Sequence, residues 1–177
     1  MTASSCYGTL STLRKINHFT DFKFCKHLAE ALVLSKLNYN DIVFDPLPLY
    51  LVKRLQSIQN AATHVTGHYA TTADAVKIGW LPVQERREWH LLKTTYKALH
   101  DTSWPLYVRL EVAKPMRDLR SSDSTNLTVP RVKGTFQDSA SKYFNKLPNN
   151  IKNCETLVSF SKQSKNYLMN IAKERLQ

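Results

Sequence analysis

A chain of 177 residues is long enough to bury a core without disulfides or metals, and its 42% hydrophobic content argues against disorder. Only 4 glycines leave little room for tight hairpins, which moves the expectation toward helix. A net charge of +11, from 25 Lys and Arg against 14 Asp and Glu, favours a polyanionic partner, nucleic acid first and an anionic membrane surface second, with solubility alone as the plain alternative.

The cysteines Cys6, Cys25 and Cys154 form no CxxC pair, so a zinc knuckle is not available from them. Their odd number, without a signal sequence, points to a reducing setting: intracellular, nuclear or cytoplasmic, and not secreted. No apolar stretch approaches the roughly 18 residues of a membrane span, so no span is expected, and nucleic acid rather than a membrane is taken as the partner.

In chain order, residues 4–16 read as a helix with Leu10, Leu13 and Ile16 on one side. Thr20 is the expected N-cap of the next helix, with Asp21 at its positive end. Its apolar face is expected from Phe24, Leu28, Ala31, Leu32 and Ser35. Pro46 and Pro48 then break the helical pattern, in a turn that Ile42, Val43 and Phe44 should keep packed. Pro48 opens a third helix with Leu51, Leu55, Ile58, Ala62 and Val65 inward and Gly67 as its stop.

A short helical turn over 71–78 leads to Trp80, and a long helix follows from about Pro82 to His100. Its N-cap position falls on Leu81, whose side chain accepts no hydrogen bond, so Glu85 in the first turn must compensate through the dipole. Trp89, Leu92, Tyr96 and Leu99 form its core face, and Arg86, His90, Lys93 and Lys97 a basic stripe beside it. Residues 114–134 read as a long basic loop with an extended piece at Asn126 to Val129. Beyond it come a helix with Phe136, Ala140, Tyr143 and Phe144 inward, and a last helix capped by Thr156. The last helix should turn Leu157, Phe160, Ser164, Tyr167 and Ile171 inward. The expected division is a helical region over 1–104 and a C-terminal helical lobe over 105–177.

No catalytic signature emerges: there is no GxxxxGK[ST], GxSxG or HExxH. His64 and His68 stand four apart, but nothing nearby completes a metal site. Tyr39-Asn40-Asp41 lacks the converging carboxylates that a two-metal polymerase needs. What remains are basic clusters: Arg86, His90, Lys93 and Lys97 on the long helix, and Arg117, Arg120, Arg131 and Lys133 in the loop. Each suits phosphate contacts; the alternative for each is an ordinary solvated face. Trp80, Trp89 and Tyr96 suit base stacking, but their helical register favours the core.

The segments LVLSKLNYND, LQSIQNAATHVTG, GWLPVQERREWHLLKTTYKALH, LRSSD with LTVPR, YFNKLPNNIKN and LVSFSKQSKNYL occur in that order. Together they resemble the region downstream of the polymerase core in reverse transcriptases of non-LTR (LINE-type) retrotransposons, in the CR1, L2 and jockey-like group. The resemblance runs from about Cys6 to Leu168 and is most specific from Leu55 to His100. It implies an all-α fold: a multi-helix thumb-like bundle, a loop-rich segment and a smaller C-terminal helical lobe. It also implies contact with an RNA–DNA hybrid or duplex, and with an upstream polymerase core. Lys53, Arg54, Arg86, Arg87 and Lys93 become duplex-facing candidates, and Arg120 and Arg131 belong to the later motifs. Phe144 stands where the family usually has Trp. The palm carboxylates, fingers and endonuclease are absent, and Mg2+ would belong to the missing palm, so no cofactor and no catalysis by this chain alone are expected. The reading is a fragment or relic of such an element; the rivals are a helical protein-interaction module and an inert pseudogene product.

Overall fold

The computed structural model describes residues 2–39, 41–101, 103–105, 110–112 and 126–176. The fold is all-α: among the described residues no strand forms, and the extended pairing is an isolated antiparallel bridge between Val112 and Leu127. The helices are α1 (Thr2–Ile16), α2 (Phe22–Ala29), α3 (Ser35–Asn38), α4 (Leu49–Val65), α5 (Thr72–Lys77), α6 (Val83–His100), α7 (Phe136–Asn145), α8 (Asn149–Lys152) and α9 (Leu157–Leu176). A π-helical segment, Glu30–Leu34, runs between α2 and α3. None of these helices is long and apolar enough to cross a membrane.

The chain divides into two compact units, drawn differently from the expected break at residue 104. Unit 1 takes Met1–Asp41, Leu47–Arg87 and Met169–Gln177, and unit 2 takes Ile42–Pro46 and Glu88–Leu168. The division therefore falls within α6 and within α9.

In unit 1, α1 packs on α4 and on the α2–α3 run, and α4 packs on α5. The core gathers Cys6, Leu10 and Leu13 of α1 with Ala29, Val33 and Leu37, then Ile58, Ala62 and Val65 of α4, and Ile78 and Trp80. Asp21, rather than Thr20, caps α2, its carboxylate accepting the Phe24 amide at 3.0 Å. Thr20 ends the short 3-10 turn Asn17–Phe19, and its hydroxyl lies 2.8 Å from the Cys25 sulfur. The inward face of this run is also rotated from the expected one. Cys25, Ala29, Val33 and Leu37 are buried at steps of four, while Phe24 is 50% and Leu32 42% exposed. Two causes act together. The small Cys25 and Ala29 admit α1 and α4 closely, and the π segment, with bonds reaching the fifth residue, keeps a four-step stripe in line.

The inward stripe of α4 follows the sequence pattern, and Gly67 stops the helix at φ +84°, a conformation that suits glycine. The two glutamines of α4 settle how α6 begins. Gln56 Oε1 accepts the Val83 amide at 2.8 Å, and Gln59 Nε2 donates to the Leu81 carbonyl at 3.0 Å. The cap missing from Leu81 is therefore supplied by α4. Gln56→Leu is expected to cost about 0.5–2 kcal/mol, the usual value of a lost cap, measurable as a shifted urea midpoint. The turn before α4 is packed only in part: Ile42 is half-buried, whereas Val43 and Phe44 are 75% and 61% exposed.

In unit 2, α6 packs against α9 through Tyr96 and Phe160, whose rings stack at 4.6 Å, and Phe144 of α7 stacks on Phe160 at 6.3 Å. The core face of α6 includes the expected Leu92 and Tyr96, buried, with Trp89 and Leu99 half-buried, and it widens to Leu91, Thr95 and Ala98, which are buried too. Thr156 caps α9 through the Ser159 amide. The inner stripe of α9 drifts from the expected one: Phe160, Ser164, Leu168 and Ala172 are buried and Ile171 is 38% exposed. The extended piece at Leu127 docks on α7. The Asn145 side chain accepts the Leu127 amide at 2.7 Å and donates to its carbonyl at 2.9 Å, doing for Leu127 what a neighbouring strand would do.

Two helix starts share one device. Thr71 and Thr135 cap α5 and α7 by accepting the amides of Asp74 and Asp138, and each Asp pairs with a lysine one turn on: Lys77 at 2.9 Å and Lys142 at 2.7 Å. The Thr71 hydroxyl and then Lys77 hold Asp74 below the usual carboxylate range; Lys142 and then the Gly134 amide do so for Asp138. A depressed folded value contributes stability above the ordinary 3.8, which is lost as pH falls through the lower folded value. Thr71→Val and Lys142→Met should each flatten the fall in Tm between about pH 5 and pH 2.

Candidate nucleic-acid interface

The first turn of α6 lies inside unit 1, and it removes two of the expected phosphate contacts from the open surface. Arg86 is 7% and Arg87 9% exposed. Burial pulls the Arg86 guanidinium down to about 10, with the Asp41 carboxylate opposing that shift. The group is still cationic at neutral pH, and its Nη1 has no hydrogen-bond partner among the described residues. Beside it Glu85, also buried, pairs with Arg175 of α9 at 2.7 Å. Sequence periodicity placed Arg86 on a solvated stripe because it cannot see α4, Asp41 or the end of α9 around that turn.

Further along α6 the stripe opens. Lys97 is exposed, and His90 and Lys93 are half-buried. The Lys93 ammonium lies 4.2 Å from the Trp89 ring centroid, and Lys165 of α9 lies 5.4 Å from the same centroid. The His90 ring is tilted against Trp89 at 5.2 Å. Trp89 itself is fixed by Nε1 donating to the Ser161 carbonyl at 2.9 Å, and Tyr96 by its hydroxyl donating to the Cys154 carbonyl at 2.7 Å. Seven residues forward on α6 correspond to seven back along the partner segment, so the two run antiparallel. That pairing brings Lys165 to Trp89. In the sequence Lys165 is one of several basic residues of the last helix, beside Lys162, Lys173 and Arg175; the antiparallel register that selects it has no local signal.

Of the remaining candidates, Lys53 and Arg54 are exposed on α4, and Arg131 and Lys133 are exposed in the turn before α7. Arg117 and Arg120 lie outside the described residues. Trp80 is buried and donates from Nε1 to Glu30 at 2.7 Å, so it serves the core. His64 Nδ1 lies 3.3 Å from the His68 carbonyl, a contact that closes the end of α4 rather than a metal pair. Among the described residues no group of three or more His, Cys, Asp or Glu is placed to hold a metal ion.

What the arrangement around Trp89 can do is hold anions. Lysine stems lie along an aromatic surface while their ammonium groups stay within reach of solvent. Phosphate oxygens of a backbone would meet cations from two helices at one place. Protein-family models, characterised proteins and solved structures compared with the chain give no match.

Proposed function

We propose that this chain is the thumb and post-polymerase region of a non-LTR retrotransposon reverse transcriptase, binding an RNA–DNA hybrid or duplex through its backbone without catalysis of its own. The observation that carries the binding is the convergence of Lys93 and Lys165 on Trp89, with Lys97 exposed one turn along α6. The all-α fold and the net charge of +11 are consistent with such a role. The ordered segments from LVLSKLNYND to LVSFSKQSKNYL support the family origin by resemblance. Backbone binding of this kind is insensitive to sequence and sensitive to salt. The test is binding of a labelled RNA–DNA hybrid across salt, with a Lys93→Ala, Lys97→Ala, Lys165→Ala chain beside the wild type. Equal affinity and equal salt dependence for the two chains would remove the proposal.

A further inference from the structure

We infer that unit 1 carries a second nucleic-acid site, a stacking platform for the unpaired bases of a single strand, built on Phe19, Phe22 and Tyr69. Phe19 is 87% and Tyr69 82% exposed, and Phe22, the first residue of α2, is 44% exposed. The Phe22 ring meets the His68 ring at 5.4 Å, tilted by 56°. That contact joins two chain segments, one carrying Phe19 three residues before Phe22 and the other carrying Tyr69 directly after His68. Single exposed apolar side chains are ordinary on a protein surface, but exposed rings carried by two segments that touch through Phe22 and His68 mark an interaction site.

The charge around the rings selects the partner. Arg14, Lys15 and Lys23 flank Phe19 and Phe22 and are exposed. Between residues 14 and 27 Asp21 is the one carboxylate, and it is engaged with the Phe24 amide as the α2 cap; on the His68 side the Asp74 carboxylate acts on His68 and is itself held by Thr71 and Lys77. Rings with a cationic rim suit a strand that offers base faces and phosphates together. A duplex hides its base faces in the stack, so the platform takes a single strand, DNA or RNA. The platform shares no residue with the lysine interface of unit 2, so either can fail alone.

The test uses the full chain and fluorescence anisotropy. The probes are labelled oligothymidylate and oligouridylate of about 12 nucleotides, within the usual span of single-strand sites, and an abasic phosphodiester strand of equal length. The wild type is expected to prefer the base-bearing strands, in DNA and RNA alike, by about tenfold. A Phe19→Ala, Tyr69→Ala chain is expected to lose that preference, and a Phe19→Leu, Tyr69→Leu chain, which keeps apolar bulk without a π face, to lose it equally. The Lys93→Ala, Lys97→Ala, Lys165→Ala chain is expected to retain it. Equal wild-type affinity for base-bearing and abasic strands overturns the inference. So does an unchanged preference in both ring variants. Wild-type self-association on sedimentation that the ring variants abolish, with strand preference unaltered, also overturns it and makes this face a protein contact.

Discussion

Arg86→Ala is expected to lower folding stability by about 1–3 kcal/mol, because it removes a buried side chain whose stem packs in unit 1 and whose charge is favoured by the Asp41 carboxylate. Arg86 is 7% and Asp41 5% exposed, so the attraction between them acts in a poorly solvated place. The loss should appear as a shifted urea midpoint at constant slope. Arg86→Met keeps much of the buried volume and should recover part of that loss. A wild-type midpoint for Arg86→Ala would mean that the buried charges contribute nothing to folding. The same variant cannot report on binding, because it weakens the unit that holds α6.

The lysine interface predicts a second large effect. Each backbone phosphate contact on a duplex contributes about −0.9 to the slope of log affinity against log salt. Lys93, Lys97 and Lys165 together should therefore account for a slope of about −2.7, or roughly fortyfold in affinity between 50 and 200 mM salt. The triple alanine chain should lose that part of the slope and bind several sequences equally weakly. Because Lys97 is exposed and Lys93 and Lys165 are half-buried, the variant should fold, and its melting curve verifies this. A slope unchanged by the three substitutions would identify the cluster as a solvated face.

Much of the helical plan was legible in the chain. The stripe of α4, its stop at Gly67, the core face of α6 and the cap at Thr156 all follow from local spacing and local chemistry. The docking of Leu127 was visible only as an extended tendency, because the Asn145 side chain that fixes it lies 18 residues away. The candidate site was legible in half. Lys93 and Lys97 could be read from a helical stripe, but periodicity records only which residues share a face. It is blind to which end of that face another element covers, so Arg86 was placed with them although it is buried; Arg87, which only the family resemblance added, is buried as well.

The all-α class, the strong positive charge and the positions of most helices can be read from the chain alone, because these depend on composition and on interactions between residues three and four apart. Tertiary structure decided the rest. It chose Cys25 and Ala29 over Phe24 as the inward residues of α2, supplied the cap of α6 from Gln56 and brought Lys165 to Trp89. Each of these outcomes depends on contacts between residues distant in the chain, and such contacts leave no period in a single sequence.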